Sequence, residues 1–426
     1  MERTYVKDTL EKIDQKILLK GWVDSVRDHG KITFLDLRDK TGLIQCVGQN
    51  LPKFTQESVV EITGTVVKRP AKLINEDLPT GTVELQVEEL NVLSLAEELP
   101  IPIDGFADEA QIQKRFDWRW IDLRRPENKQ IFNVWTSLEK GFRNHVNNAG
   151  FTQVYTPSLM KSPSESGAEV FEVKYFETKA YLAQSPQFYK QLAMASGIEK
   201  VFVVGPVFRA EPSFTTRHMT EFTGWDFEIA FIESHHEPMD EEEKMLVAGF
   251  EQVNKDLDLG VEVPSRPFPR VTMADAKKML SDAGINSADP NDLNPEEERE
   301  LSKLIKEKYN HDFVFVIDWP IEKRPFYHMR HEDNPELTKS FDLLYKGLEI
   351  TTGAQREHRI DVLQKQAKEK GMPLDEIGYY LDFFRYGCPP HGGGGIGPGR
   401  IIMQMLDLKS VKEATFLPRD VNRLNP

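Results

Sequence analysis

The residues of this chain best suited to chemistry fall first within 201–231, VFVVGPVFRAEPSFTTRHMTEFTGWDFEIAF. The stretch reads as two strands joined by a polar loop. A period of two puts Arg209 and Glu211 on one face of the first strand. In the second, Trp225, Phe227, Ile229 and Phe231 share an apolar face, while Phe222, Gly224 and Asp226 share the other. That second face carries a ring, a gap and a carboxylate, which makes a poor core and a good floor for a flat ligand. The loop adds Arg217 and His218. Guanidinium forks match phosphate oxygens and an exposed ring stacks a base, so the set suits a purine nucleotide. An amphipathic hairpin with a solvated loop fits the same pattern.

A second group lies in 340–358, SFDLLYKGLEITTGAQREH, where Asp342, Glu349 and Arg356 follow one another at steps of seven residues. Two carboxylates on adjacent strands can hold Mg²⁺ against phosphate oxygens, and the guanidinium offers a fork for a carboxylate. Charges at such spacing also suit a plain surface. A third group is the glycine run of 389–408, PPHGGGGIGPGRIIMQMLDL, followed by Arg400. Its G-x-G-x-x-G match lacks the acidic residue and βαβ context of a dinucleotide site, and no phosphate-binding P-loop word occurs. The better reading is a strand whose glycines let a ligand approach the backbone, then a helix with Arg400 in its first turn. Finally, YLAQSPQFYKQL brings Gln184, Gln187 and Lys190 together where a strand passes into a helix. By itself Lys190 reads more readily as a surface helix lysine.

These groups need elements to hold them. The 426 residues suffice for two or three domains, and 39% hydrophobic with 29% charged residues is a globular balance. Only two cysteines, Cys46 and Cys388, are present, so no disulfide framework is implied and a reducing, cytoplasmic setting fits. No apolar leader and no membrane-length run occurs. A net charge of −15 argues against a protein that simply coats nucleic acid, and leaves room for a local basic footprint.

Residues 17–95 alternate in short β-type runs, and about five strands in about 80 residues fit a Greek-key barrel of the OB type. Ile32, Phe34 and Asp36 share a face, so Phe34 either points outward, in one groove with Arg27, Gln45 and Glu84, or belongs to the core. The expected domain spans 1–103, and a hinge of 104–127 follows. From that hinge into the next helix runs QKRFDWRWIDLRRPENKQ, whose six basic residues suggest either an RNA surface or a solvated face. The remainder, 128–426, is expected to be one catalytic domain. Helical periodicity over 128–148 (Phe132, Trp135, Leu138, Phe142, Val146) leads into FTQVYTP, a strand closed by Pro157. A Ser/Gly-rich loop around Glu165 is expected to cover a site. Residues 232–312 are acidic and helical and read as an insertion with charge pairs and no chemistry. FVFVIDWP at 313–320 reads as a buried strand.

Taken together, FRAE with RHMTEFT resembles motif 2 of the class II aminoacyl-tRNA synthetases. The helix and proline-closed strand resemble motif 1, and GIGPGR resembles motif 3. The neighbouring words are those of aspartyl-tRNA synthetases of the archaeal and eukaryotic type, over nearly the whole chain. The resemblance implies an α+β protein: an OB-fold β-barrel, then a class II catalytic domain with an antiparallel sheet flanked by helices. It implies ATP-dependent charging of tRNA(Asp), or of tRNA(Asn) as well, with L-aspartate, ATP and Mg²⁺, by a homodimer joined through motif 1. The rivals are an asparaginyl enzyme and an RNA-binding scaffold that has lost the reaction.

By the same resemblance Arg209 and Arg400 are catalytic, on the α- and γ-phosphates. Glu211, Arg217, His218, Met219, Phe222, Glu349 and Gly397-Pro398-Gly399 complete the ATP set. Asp342, Glu349 and Thr352 are the metal set. Glu165, Gln187, Lys190, Asp226, Thr352 and Arg356, with Arg209, hold the aspartate, Lys190 and Arg356 taking its side-chain carboxylate. Arg27, Phe34, Gln45 and Glu84 contact the anticodon. Gly399 departs from the family, which usually has an acid before this arginine. Asp24 stands where strictly selective archaeal relatives carry a tryptophan. A small residue there favours relaxed tRNA choice, while a carboxylate accepting from a cytosine amino group favours tRNA(Asp).

Overall fold

The computed structural model describes residues 1–103, 112–164, 170–212 and 214–426. Glu165, expected over the site, lies outside them. The chain divides into two compact units, Met1–Gly105 and Phe106–Pro426.

The first unit is a closed barrel of β1 (Lys16–Asp28), β2 (Ile32–Asp39), β3 (Gly42–Gln49), β4 (Val59–Lys68) and β5 (Val83–Ser94), in the order β1-β2-β3-β5-β4. Alternation decides what points inward: Leu35, Leu37, Ile44, Cys46, Ile62 and Leu85 are fully buried. The intervening residues of β2, Phe34 and Asp36, therefore lie on the outer face and stay half-buried.

The second unit begins with α1 (Ile112–Asp117), α2 (Arg119–Asp122) and α3 (Pro126–Asn148). Here the expectation of a hinge with a solvated or RNA-facing basic surface needs correction. Arg115, Arg119, Asp122 and Arg125 are buried. Asp122 sits between Arg115 at 2.8 Å and Arg119 at 2.7 Å. Arg119 also donates to the carbonyls of Glu413 at 2.6 Å and Thr415 at 3.1 Å. Buried guanidinium groups survive only with such partners, so the run is a structural clamp on the C-terminal segment.

After α3 come β6 (Thr152–Gln153), β7 (Leu159–Met160), β8 (Glu172–Tyr175), β9 (Thr178–Leu182), α4 (Gln187–Ala195), β10 (Lys200–Phe208) and β11 (Glu221–Ala230). Then follow α5 (His236–Leu257), β12 (Arg270–Thr272), α6 (Met273–Asp282), α7 (Pro295–Tyr309) and β13 (Phe313–Ile317). The chain closes with β14 (Ser340–Tyr345), β15 (Leu348–Arg356), α8 (Ile360–Glu369), α9 (Gly378–Arg385), β16 (His391–Ile396) and α10 (Pro398–Met405).

Eight strands form one sheet in the order β12-β13-β14-β15-β16-β11-β10-β6. The six central strands are antiparallel, and only the pairs β12–β13 and β10–β6 are parallel. Strands β7, β9 and β8 make a smaller sheet. Helix α3 buries Ile131, Val134, Leu138, Phe142 and Val146, and Phe142 stacks on Trp225 of β11 at 4.6 Å. Helices α3 and α5 cross where a Cβ on Gly141 would stand 2.3 Å from the Ala248 carbonyl, so only glycine fits. Helix α5 and strand β12 thus belong to the core and the sheet, and the expected insertion of 232–312 is in part the body of the fold. Phe231, expected on the apolar face of β11, leaves the strand at φ 61° and is 65% exposed.

Candidate active site

Strands β10, β11, β15 and β16, with α4 and α10, line a cavity of about 780 Å³. Polar residues reach it because the β11 side opposite Trp225 and Phe227 carries Phe222, Gly224 and Asp226, as alternation requires. Strand β10 ends at Phe208, so Arg209 and Glu211 open the loop and do not share a strand face.

One group of charges is sunk deep. Lys190 on α4 is 1% exposed, which rules out the surface-lysine reading. Its Nζ donates to Asp226 Oδ1 at 2.9 Å and to the Gly394 carbonyl at 3.0 Å, and lies 3.4 Å from Glu228 Oε2. Arg356, at the end of β15, donates to Glu228 Oε1 at 3.0 Å, His328 Nε2 at 2.9 Å and the Gly393 carbonyl at 3.0 Å. His328 accepts through Nε2, so its proton is on Nδ1. Burial, with Arg356, Arg324 and Lys190 nearby, holds its pKa well below the ordinary value. Glu228 is desolvated, yet Arg356 and Lys190 keep it ionised, below the usual carboxylate range. Gln187 donates to Gln191 at 3.0 Å, and Gln191 in turn donates to His391 at 2.9 Å. The glycines of β16 have two uses. A Cβ on Gly393 would meet the Phe227 carbonyl at 2.0 Å, whereas Gly395 and Gly397 line the cavity. Close strand packing, as well as ligand approach, thus explains the run.

A second group lines the same cavity. The Arg209 guanidinium lies over the Phe222 ring at 5.5 Å and 3.8 Å from Glu211. His218 accepts or donates at 2.7 Å to Thr215 and lies 3.7 Å from Glu211. Its pKa is lowered by burial, with Arg400 and Arg217 adding to the effect and Glu211 opposing it. Met219 is buried beneath the loop. Arg400, third residue of α10, donates to the Glu349 carbonyl at 2.7 Å and stands 3.5 Å from Glu349 Oε1. Glu349 therefore supplies the support that a preceding acid would give. A side chain on Gly399 would meet Val411 at 3.3 Å.

Asp342 and Glu349 do lie on adjacent strands, where Asp342 pairs with Thr352 and Leu344 with Glu349. The Thr352 hydroxyl donates to Glu349 at 3.2 Å. Asp342 is paired with Arg324 at 2.8 Å. Burial pushes it up to about 6 against the pull of Arg324, with Glu349 adding to the rise.

Residues 111–421 match the family model "tRNA synthetases class II (D, K and N)". The chain belongs to this family. Residues 17–93 of this class II synthetase match the model of an OB-fold nucleic acid binding domain. It is 41% identical over 447 residues to the aspartate–tRNA(Asp) ligase of Thermococcus kodakarensis, with 100% of both chains covered. It is 40% identical to the aspartate–tRNA(Asp/Asn) ligase of Aeropyrum pernix, with 96% of each covered. Among solved structures, the asparaginyl-tRNA synthetase of Pyrococcus horikoshii with asparaginyl-adenylate is 30% identical, covers 100% of both chains and gives a TM-score of 0.89.

On the barrel of this synthetase, the four residues singled out share one outer patch. Arg27 reaches Asp36 at 3.2 Å and Gln45 at 3.4 Å, and Gln45 donates to Glu84 at 2.9 Å. Phe34 stands beside them, edge-on to His29 at 5.7 Å. Asp24 is held by Arg38, which is forked at 2.7 and 2.8 Å onto the buried Glu57. Arg69, overlooked in the sequence, reaches Gln45 at 3.4 Å.

In the catalytic unit, Glu228, Arg324, His328 and Glu298 were overlooked. Glu228 is the buried partner of both Lys190 and Arg356, and an acid inside an otherwise apolar strand, FEIA, was the signal. Glu298 on α7 binds Arg217 at 2.7 and 3.1 Å, which corrects the view that 232–312 carries no site chemistry.

Proposed function

We propose that this synthetase is an aspartate–tRNA ligase that activates L-aspartate with ATP and charges tRNA(Asp), and tRNA(Asn) too. One observation carries the choice of amino acid. The deep group contains two cations, Lys190 and Arg356, against two anions, Asp226 and Glu228. The group is thus balanced before any substrate enters. With the α-carboxylate paired to Arg209 outside this group, the substrate's ammonium and side-chain carboxylate keep the group neutral, whereas asparagine brings only the ammonium and leaves one buried positive charge. In this reading Asp226 faces the ammonium, and Lys190 with Arg356 faces the carboxylate. Gln187 and Thr352 flank the amino acid.

In the first step an oxygen of the α-carboxylate attacks the α-phosphorus and pyrophosphate leaves. No protein nucleophile is needed, so catalysis is positioning and charge neutralisation. Arg209 holds the α-phosphate and the substrate carboxylate together. Arg217, His218 and Arg400 take the distal phosphates, Glu211 orders His218, and Phe222 stacks the adenine over Met219, with Gly397-Pro398-Gly399 closing the floor. In the second step the terminal ribose hydroxyl of tRNA attacks the adenylate carbonyl, losing its proton as AMP departs.

Asp342, Glu349 and Thr352 fit Mg²⁺: Asp342 Oδ1 is buried with no hydrogen bond of good geometry, beside a second carboxylate. Among the described residues no cluster of three or more acids, histidines or cysteines could hold a metal, so phosphate oxygens and water would complete the shell. Bound there, the ion would neutralise charge on the leaving pyrophosphate.

A homodimer through motif 1 is supported by the segment after α3, which leaves Tyr155 83%, Leu159 45% and Phe176 79% exposed. A cytoplasmic setting is supported by two free cysteines. Among the described residues no helix is long and apolar enough to cross a membrane.

The barrel would read the anticodon through Phe34, Arg27, Gln45 and Glu84. Because Arg38 already occupies the Asp24 carboxylate, acceptance from a cytosine amino group is disfavoured, and no bulky side chain excludes the other base. Aminoacylation of the two tRNA transcripts with aspartate tests this: both are charged, with a preference below about a hundredfold, or about 2.7 kcal/mol. A larger preference for tRNA(Asp) contradicts relaxed choice, and no charging of either contradicts the function.

A further inference from the structure

The connection between β10 and β11 carries Arg217 on a loop, and its backbone is pinned elsewhere. Val411 N donates to the Thr216 carbonyl at 2.9 Å, and Thr220 N donates to the Arg419 carbonyl at 3.0 Å. Those bonds fix where the loop runs and leave the long Arg217 side chain several rotamers. What aims it is Glu298. Nη1 and Nη2 of Arg217 donate to Glu298 Oε2 and Oε1 at 2.7 and 3.1 Å, a two-point fork. Arg217 lines the cavity, and Glu298, 4% exposed, does not. The carboxylate therefore holds the guanidinium from outside the ligand space.

Glu298 is itself on a rigid support. It sits in the first turn of α7, which has a capping box between Asn294 and Glu297. The turn between β14 and β15 packs on this helix so tightly that a Cβ on Gly347 would stand 2.9 Å from Arg299 Cα. Leu301 and Ile305 of α7 lie in one core cluster with Val314, Val316 and Leu344 of β13 and β14. Helix α7 is thus locked to the strand pair that carries Asp342 and Glu349. Burial pushes Glu298 up to about 7, with Arg217 opposing and Glu349 adding to the rise.

We propose that Glu298 is a positioning residue for the nucleotide: it aims Arg217 from α7 at the distal phosphates of ATP. This rests on the proposed reading of the cavity as an ATP site. The chemistry selected is the β,γ-diphosphate, since Arg400 and Glu349 border the same end, whereas Arg209 and Phe222 serve the nucleoside monophosphate part. Glu298 does not touch the substrate. The cost of a loose arginine falls on distal-phosphate binding alone.

The test is calorimetric binding of ATP and of AMP to the whole enzyme, wild type beside Glu298→Gln, with ATP–pyrophosphate exchange in parallel. Glu298→Gln keeps the shape and removes the charge. It weakens ATP binding about tenfold, about 1.4 kcal/mol, and leaves AMP binding and the KM for aspartate within about twofold. Glu298→Asp, which keeps the ion pair on a shorter arm, recovers part of the loss. An ATP affinity unchanged in Glu298→Gln overturns the proposal, as does an equal loss for ATP, AMP and aspartate, the mark of general structural damage. Failure of the wild type to bind ATP would instead overturn the ATP reading of the cavity, so the two failures are distinct.

Discussion

Phe222 is half-buried in the cavity wall with the Arg209 guanidinium 5.5 Å above its ring. A purine entering there stacks on a face already positioned by the second residue of β11, and base–aromatic stacking is worth about 1–3 kcal/mol. Phe222→Ala accordingly raises the KM for ATP about tenfold, measured by the ATP dependence of pyrophosphate exchange, and an unchanged KM would contradict the stacking role. Arg209 also loses its packing partner, so kcat falls with it. At this scale the sequence was legible wherever a side chain stands at a recognisable place in a strand or in the first turns of a helix. Lys190, Asp226, Arg356 and Arg400 all line the expected cavity. What could not be read was the partner of each: Glu228 for Arg356, Arg324 for Asp342, Glu349 for Arg400. Such pairs join residues far apart in the chain, and no local spacing reports them.

Helix α5 shows at the element scale why charge-rich helices misled. Glu241, Glu242 and Glu243 are consecutive, which reads as a solvated face, yet all three are buried. Glu241 turns to His145 of α3 at 2.7 Å, and Glu243 to Arg266 and Arg270 at 3.2 and 3.1 Å. Glu242 turns under the sheet to accept from Thr351 at 2.5 Å. Burial pushes its carboxyl from 4.5 up to about 8, with Glu243 adding and the Thr351 bond opposing. A folded-state pKa above the unfolded one means the folded protein holds the proton more tightly. Stability from this group is therefore fully present below 4.5 and is lost as pH rises through about 8. Glu242→Gln keeps the hydrogen bond without the ionisation. Its thermal midpoint is expected above wild type at pH 8 and close to it at pH 5, and equal midpoints at both would contradict the assignment. The helix α1–α2 clamp misled for the same reason, since the three arginines around Asp122, Arg115, Arg119 and Arg125, look like surface until Arg119 is placed on the C-terminal carbonyls.

For the whole molecule, the OB barrel and the antiparallel sheet were readable because alternation and turns are local signals, and both units match family models. The closure of the sheet was not: β12 has three residues and no period, and although FTQVYTP reads as a strand, nothing local reports that its Thr152–Gln153 pairs with β10. With a net charge of −15, attraction to tRNA has to come from local basic groups, and the proposed function places Arg27 and Arg69 of the barrel among them. In the proposed function, selection of the amino acid rests on the balance of four buried charges, Lys190, Arg356, Asp226 and Glu228, which closes with an aspartate side chain and fails by one with an asparagine. The most direct test is amino-acid-dependent ATP–pyrophosphate exchange with each of the two in turn. The account predicts that kcat/KM for aspartate exceeds that for asparagine by at least about a hundredfold, about 2.7 kcal/mol. Equal use of the two, or a preference for asparagine, would contradict it.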